Sequence, residues 1–141
     1  GGMGYVEDTA LPLFYREAPL NSIWEGSGNV ICLDILRTLR AAPEAGEVLA
    51  AEFAKVAGQD RGFDAALSAH MARFPKLPEE AQARWFVESL ATLLTGAVLL
   101  QQAPAAISTA YVATRLQGAR GRMAGAIGNV DRAAILARLG P

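Results

Sequence analysis

Glu25 is the carboxylate whose neighbours most favour chemistry, because it stands in the run Ile-Trp-Glu-Gly-Ser-Gly-Asn at residues 23–29. The glycines form a flexible turn, and Ser27 can cap a helix that begins directly after it. A carboxylate held at such a helix start can act as a general base towards a bound substrate. The same side chain can equally be a solvated acid of a surface loop, and the bare residues favour that plainer interpretation.

A second glycine cluster opens the sequence, with Gly1, Gly2 and Gly4 inside four positions. Absent side chains let a backbone approach a phosphate or a ring closely. Backbone N–H groups at a helix start, such as the one after Gly26, suit a pyrophosphate. Ordinary turns would explain part of this pattern, but they do not explain the ordered combination of both clusters with Tyr-Arg-Glu-Ala at residues 15–18 between them.

These three runs, Gly-Gly-x-Gly-Tyr, Tyr-Arg-Glu-Ala and Ile-Trp-Glu-Gly-Ser-Gly-Asn, resemble in order and spacing the C-terminal signature of flavin-dependent acyl-CoA dehydrogenases. The Trp-Glu-Gly-Ser form of the last run, and the long sequence after it, are most similar to the alkylation-response (AidB-like) branch of that family. The resemblance implies FAD as cofactor, an acyl-CoA substrate, and a homo-oligomer in which a neighbouring subunit often completes the flavin site.

The resemblance also assigns roles to single residues. Glu25 falls on the family's base, which removes the α-proton of the acyl thioester while a hydride leaves the β-carbon for flavin. The positions that fall where the family contacts FAD are Gly2, Gly4, Gly26, Ser27 and Asn29. Ser27 and Asn29 replace the family's usual Thr and Gln or Glu, which leaves their individual hydrogen bonds open.

Two neighbours of these motifs have structural interpretations. Trp24 replaces a more frequent Tyr and is expected to pack, with the lining of a flavin pocket as the alternative. Arg16 is at least as well explained by an ion pair with Glu7, Asp8 or Glu17 as by a ligand contact.

The single histidine and the single cysteine predict no further site. His70 has no His or Cys partner at metal-ligand spacing, so no metal site is expected, and the residue is interpreted as a helix-surface or core histidine. Cys32 lies on the apolar face of a predicted helix and is expected to be a buried, unreactive thiol. A lone cysteine and the absence of a signal-peptide pattern favour a cytoplasmic location.

Arginines are concentrated at the C-terminal end of a chain whose net charge is −1. From residue 111 onward, Asp131 is the one acid beside the five arginines Arg115, Arg120, Arg122, Arg132 and Arg138. Arg115, Arg120 and Arg122 are candidate contacts for the phosphates of duplex DNA, a partner that the AidB-like resemblance also implies. Intersubunit ion pairs or a solvated face explain the same residues, and convergence of the arginines on one exposed face would distinguish the interpretations.

Apolar residues at helical spacing predict an all-α fold, a helical bundle. Proline and glycine breaks predict helices over 11–18, 27–42, 43–56, 60–74 and 79–102, one from Pro104, and a last one to residue 139. Four glycines between residues 118 and 128 predict a flexible or closely packed connection. The apolar run Leu90–Leu100 is too short for a membrane span, so no membrane partner is expected and the run should be buried in the core or in a subunit interface.

Length and composition favour one compact domain, since 52% of the 141 residues are hydrophobic and 19% are charged. We expect residues 1–42 to be the end of an acyl-CoA dehydrogenase C-terminal helical domain with the flavin motif, and 43–141 a helical extension packed as one body with it. The expected function is that of a C-terminal fragment of an FAD-dependent acyl-CoA dehydrogenase, inactive without the N-terminal domains. The alternatives are an alkylation-response flavoprotein whose extension binds duplex DNA with little dehydrogenase activity, and an oligomerisation module.

Overall fold

The computed structural model describes residues 2–123 and 125–139, and these form an all-α bundle, which confirms the predicted fold class. The α-helices are α1 (Leu11–Glu17), α2 (Gly28–Ala41), α3 (Glu44–Ala54), α4 (Arg61–Arg73), α5 (Ala83–Gln102), α6 (Ala105–Tyr111) and α7 (Arg132–Leu136). Short 3₁₀ turns cover Gly2–Gly4, Ala18–Ser22, Glu80–Gln82 and Ala137–Leu139, and a π-helical turn, Val112–Leu116, continues α6.

The ends of several elements differ from those that the sequence predicts. The α-helix α1 ends at Glu17, one residue before its predicted end, and a 3₁₀ segment with Pro19 in its first turn follows directly. Glu80 lies in a separate 3₁₀ turn before α5 and Glu79 precedes that turn, so neither glutamate is in the first turn of α5. The glycine-rich connection contains an isolated β-bridge between Arg120 and Ile127, the sole β pairing in the described part of the chain.

Aspartates begin two of the helices, as their types predict. The Asp60 carboxylate accepts hydrogen bonds from the N–H groups of Gly62 and Phe63 at 2.7 and 3.0 Å, at the start of α4. Asp131 accepts from the N–H group of Ala134 at 3.0 Å, at the start of α7. Each bond satisfies a donor that a helix start leaves without an intrahelical partner.

The helix α5 is central to the bundle, since it contacts α2, α3, α4 and α6. Leu93 and Ala97 are fully buried, Leu94 is half-buried and Val98 is exposed, so the predicted buried run is buried along one face only. By length and composition alone, Glu80–Gln102 is also apolar enough to cross a membrane. Central helices of bundles share that composition, and one face of α5 is buried against its neighbours.

The core consists of two adjoining clusters of buried side chains. The first contains Cys32, Leu36, Phe74, Ala83, Phe86 and Val87. The second contains Phe53, Val56, Phe63, Leu93, Ala97 and Val112. Leu90 of α5 packs against both clusters. Cys32 is therefore a buried thiol, as the apolar face of its helix predicts.

Gly62 allows α4 to approach the π-helical turn closely. A Cβ atom at this position would lie 2.8 Å from Val112 Cγ1 and 2.5 Å from Gln117 Nε2, and Val112 is itself buried. We expect Gly62→Ala to destabilise the chain by about 1–3 kcal/mol, the usual cost of overpacking. The matched control is Gly46→Ala in α3, where no atom lies within 4 Å, and it should stabilise the chain by up to about 1 kcal/mol. Urea unfolding measures both, and equal effects would contradict the close approach.

His70 is a core histidine, 8% exposed. Its Nδ1 atom lies 2.7 Å from Ser89 Oγ, and its ring packs against Phe74 and Phe86 with 5.3 Å between centroids in each pair. Burial lowers the pKa of His70, because the imidazolium loses solvation in these surroundings.

The lowered pKa of His70 should make the stability of the chain depend on pH. The imidazole of the unfolded chain takes up its proton at a higher pH than that of the folded chain. The free energy of unfolding should therefore decrease as the pH falls from about 6.5 to below the pKa of His70 in the folded chain. Above about pH 6.5 the contribution is fully present. His70 is the one histidine of the sequence, so His70→Asn should remove this part of the slope. Urea unfolding over this pH range tests it, and identical slopes in both proteins would be the contrary result.

Candidate functional site

Glu25 lies in the turn between the 3₁₀ segment Ala18–Ser22 and α2, and its side chain is exposed. Its φ of +58° makes it the one non-glycine residue in the left-handed region among the described residues, and Gly26 follows with φ +116°. Such a conformation costs a non-glycine residue about 1–3 kcal/mol and is concentrated at functional sites. Backbone hydrogen bonds hold the turn, with Trp24 N–H donating to Leu20 O at 2.9 Å.

The start of α2 leaves backbone donors available. Ser27 occupies the N-cap position, and its carbonyl oxygen accepts from the Ile31 N–H group at 3.1 Å. Its hydroxyl makes no capping hydrogen bond, so the prediction is correct for the position of the cap and wrong for the bond. N–H groups at a helix start without a side-chain partner are suited to an anion.

Arg84 reaches this helix start from the beginning of α5. Its Nη1 atom donates to Asn29 Oδ1 at 2.9 Å, and its Nη2 atom lies 3.1 Å from the place where a Cβ on Gly28 would stand. A guanidinium beside the positive end of a helix dipole is unfavourable by itself, and an anion between them would offset that repulsion. No sequence motif points to Arg84, because 55 positions separate it from Asn29.

Gly2 and Gly4 lie in the first 3₁₀ turn, which contacts α1. The Gly2 carbonyl accepts from the N–H groups of Tyr5 and Val6 at 2.9 and 3.0 Å. A Cβ on Gly4 would lie 3.9 Å from Tyr15 Cβ, whereas nothing lies within 4 Å of one on Gly2. No hydrogen bond of the described residues joins this turn to the turn that contains Glu25.

The structure also shows the surroundings of Arg16 and Trp24, the two residues beside the motifs. Arg16 forms an ion pair with Glu7 at 2.8 Å, which is one of the predicted pairings. Trp24 is 66% exposed, so it does not pack against the described residues, because the turn that holds it lies at the surface of the bundle. The described residues contain no group of three or more His, Cys, Asp or Glu side chains that could hold a metal ion.

Exposed apolar side chains are concentrated around these motifs. Thirteen of the twenty large hydrophobic side chains exposed in the described chain occur by residue 33, and we call them the N-terminal apolar surface. They are Met3, Tyr5, Val6, Leu11, Leu13, Phe14, Tyr15, Leu20, Ile23, Trp24, Val30, Ile31 and Leu33. Exposed apolar residues at this density are typical of a surface that another protein body covers.

The C-terminal arginines are all exposed, and they follow one another along the last part of the chain. Arg115 is in the π-helical turn, Arg120 and Arg122 are in the glycine-rich connection, Arg132 begins α7 and Arg138 is in the final 3₁₀ turn. None of the five forms an ion pair with a carboxylate of the described residues. Each guanidinium is therefore available to an anionic partner.

Sequence comparisons relate this chain to known proteins. Residues 1–40 match the family described as Acyl-CoA dehydrogenase, C-terminal domain. Over 111 residues, 79% of the chain, the sequence is 42% identical to AidB of Escherichia coli (strain K12), whose name places it among the acyl-CoA dehydrogenases. Over 37 residues, 26% of the chain, it is 57% identical to acyl-CoA dehydrogenase family member 11 of Caenorhabditis elegans. These alignments span 20% of AidB and 6% of the C. elegans protein.

Proposed function

Because the chain belongs to the AidB-like branch of the acyl-CoA dehydrogenase family, we propose that it is the C-terminal helical part of an FAD-dependent acyl-CoA dehydrogenase. FAD, when bound, supplies the hydride acceptor for the β-carbon of an acyl-CoA thioester. Glu25 removes the α-proton as general base. The observation that carries this proposal is the left-handed Glu25 in the turn that leads into α2, inside the segment that matches the family.

The start of α2 fits an anionic group of this cofactor. Its first N–H groups lack a partner from the Ser27 side chain, and Gly26 has no side chain to obstruct an approach. Arg84 adds a positive charge beside them and orients the Asn29 amide. These residues would hold the pyrophosphate, while Gly2 and Gly4 are assigned to FAD by the family resemblance alone.

The surroundings of Glu25 support a site that other domains complete. Its carboxylate is exposed in this chain, and Ile23, Trp24, Val30 and Ile31 beside it are exposed as well. Covering the N-terminal apolar surface would exclude water from the proton transfer, which favours the reaction over side reactions. The left-handed backbone of Glu25 would hold its carboxylate in one position when other domains pack on this surface.

Flavin binding tests this proposal. The 141-residue chain alone should give a helical circular dichroism spectrum and melt cooperatively, but it should not bind FAD stoichiometrically, since its alignment spans 20% of AidB. A protein in which the chain follows the N-terminal part of an AidB-like sequence, here called the complete flavoprotein, should purify with FAD and show its visible spectrum. Tight FAD binding by the chain alone, or no FAD in the complete flavoprotein, would contradict the proposal.

Arg84 gives the binding test a specific variant. In the complete flavoprotein, Arg84→Gln should weaken FAD binding by about tenfold or more, the scale of a lost charge-assisted hydrogen bond. Arg61→Gln at the exposed start of α4 is the control and should leave FAD binding unchanged.

A second candidate function is the binding of duplex DNA by the helical extension, with little dehydrogenase activity. The observation in its favour is the set of five exposed C-terminal arginines, none of which is paired with a described carboxylate. Phosphate contacts by arginine release counterions, so such binding would weaken steeply with salt and depend little on sequence.

Replacing Arg115, Arg120 and Arg122 together by Ala should flatten the salt dependence of duplex binding by about 3 units of log–log slope. Titration of a labelled duplex with the complete flavoprotein at several salt concentrations measures that slope. The control replaces exposed arginines of α1, α2 and α4, namely Arg16, Arg37 and Arg61. Absence of binding at low salt, or equal slopes in the two triple variants, would leave the C-terminal arginines as surface groups.

A further inference from the structure

A cavity of about 310 Å³ lies between α4, α5 and the π-helical turn, and none of its lining residues belongs to the Glu25 turn. This volume is at the lower end of the range for small-molecule sites. Its polar and aromatic lining includes His70 and Ser89, with Arg73, Trp85, Glu88 and Arg115 beside them. The four outer side chains are exposed, whereas His70 is buried.

His70 and Ser89 are uncharged polar groups in a cavity wall that alanine and leucine side chains otherwise make largely apolar. Ser89 Oγ lies 2.9 and 3.0 Å from the carbonyl oxygens of Trp85 and Phe86, so its single proton is donated to them. The hydroxyl oxygen then accepts from His70 Nδ1–H across 2.7 Å. Burial lowers the pKa of His70, so the imidazole is neutral at physiological pH.

The charged residues leave the cavity one net positive charge, since Arg73 and Arg115 face a single acid, Glu88. Neither arginine forms an ion pair with Glu88 or with another described carboxylate. Guanidinium groups bind carboxylates and phosphates through paired hydrogen bonds. One net charge matches a monoanion better than a dianion, which favours a carboxylate ligand.

Aromatic rings flank the cation at the edge of the cavity. The guanidinium carbon of Arg73 lies 4.6 Å from the ring centroid of Trp85 and 5.3 Å from that of Phe74. Trp85 remains 59% exposed, so its indole can accept a further planar group. The ligand that these surfaces fit is therefore both planar and anionic.

The second arginine comes from an irregular helical turn. Arg115 belongs to the π-helical segment Val112–Leu116, whose closing bond runs from Gln117 N–H to Val112 O at 2.9 Å. The extra residue in this turn changes the direction of the side chains that follow, and such turns are frequent at functional sites. Tyr111 joins the turn to α5 through a hydrogen bond from its hydroxyl to Thr92 O at 3.3 Å.

We propose that this cavity binds a small aromatic carboxylate, with the carboxylate between Arg73 and Arg115 and the ring against Trp85. This ligand is additional to FAD and acyl-CoA, because the cavity shares no residue with the Glu25 turn or the start of α2.

Fluorescence of Trp85 tests the proposal on the 141-residue chain. Trp24 is the other tryptophan, so a Trp24→Phe background leaves Trp85 as the one indole reporter. Benzoate should change its fluorescence saturably. Benzyl alcohol, which lacks the charge, and inorganic phosphate, which lacks the ring, should each bind at least about tenfold more weakly.

In the same background, Arg115→Ala should weaken benzoate binding by about tenfold or more. Arg61→Ala at the exposed start of α4 is the matched control and should leave benzoate binding unchanged, and thermal melting shows that each variant is folded. A missing benzoate response, or unaltered benzoate binding in Arg115→Ala, would overturn the proposal. Tighter binding of phosphate than of benzoate would overturn it too, and would assign the cavity to phosphoryl ligands.

Discussion

Glu25→Gln in the complete flavoprotein is expected to keep FAD bound and to slow flavin reduction by an acyl-CoA by about 10²-fold or more, the scale of losing a general base. Glutamine has nearly the same shape but cannot accept the α-proton, so cleavage of the C–H bond loses its base. Anaerobic stopped-flow absorbance measures the rate of reduction, and the visible spectrum before mixing measures the bound FAD.

The control for this prediction is Glu17→Gln at the exposed end of α1, which should reduce at the unaltered rate. Unaltered reduction in Glu25→Gln would remove Glu25 from the chemistry. Loss of FAD from that variant would make it a binding residue and contradict its role as the base.

Phe63→Ala should destabilise the chain by about 3–5 kcal/mol, the usual cost of removing a fully buried phenyl ring. Phe63 is 0% exposed, its ring centroid lies 6.2 Å from that of Phe53, and a Cβ on Gly96 would stand 3.4 Å from its Cδ2 atom. Because Phe63 is closely packed on both sides, its neighbours have little freedom to move into the cavity that the substitution creates. The free-energy cost of that cavity adds to the cost of losing the buried ring.

Urea unfolding measures the effect of Phe63→Ala, with Met71→Ala on the same helix as the control. Met71 is 59% exposed, so its truncation should change the free energy of unfolding by no more than about 0.5 kcal/mol. Similar losses in the two variants would contradict the assignment of Phe63 to the core.

Much of the fold follows from local sequence signals. Aspartate is a residue type that favours helix starts, and Asp60 and Asp131 begin α4 and α7, while the apolar spacing after Ser27 gives α2. Other parts of the fold depend on tertiary contacts that local sequence signals do not encode. The π-helical turn, Val112–Leu116, packs beside Gly62, and neither its period nor this approach is visible in the apolar pattern.

The candidate site is less completely encoded in short motifs. The run around Glu25 predicts a turn before a helix, but the positive φ of a glutamate is set by the surrounding turn and not by its residue type. Arg84 is brought to Asn29 only by the packing of α5 against α2. Trp24, which is expected to pack, lies in a surface turn and is exposed in this chain.

The most direct test of the dehydrogenase proposal is an anaerobic titration of the complete flavoprotein with saturated acyl-CoA thioesters of several chain lengths, followed through the visible flavin band. We predict that at least one of them bleaches the band and yields the corresponding 2,3-enoyl-CoA. A fully loaded flavoprotein whose band is unchanged by every thioester would contradict α,β-dehydrogenation as the function of the complete flavoprotein.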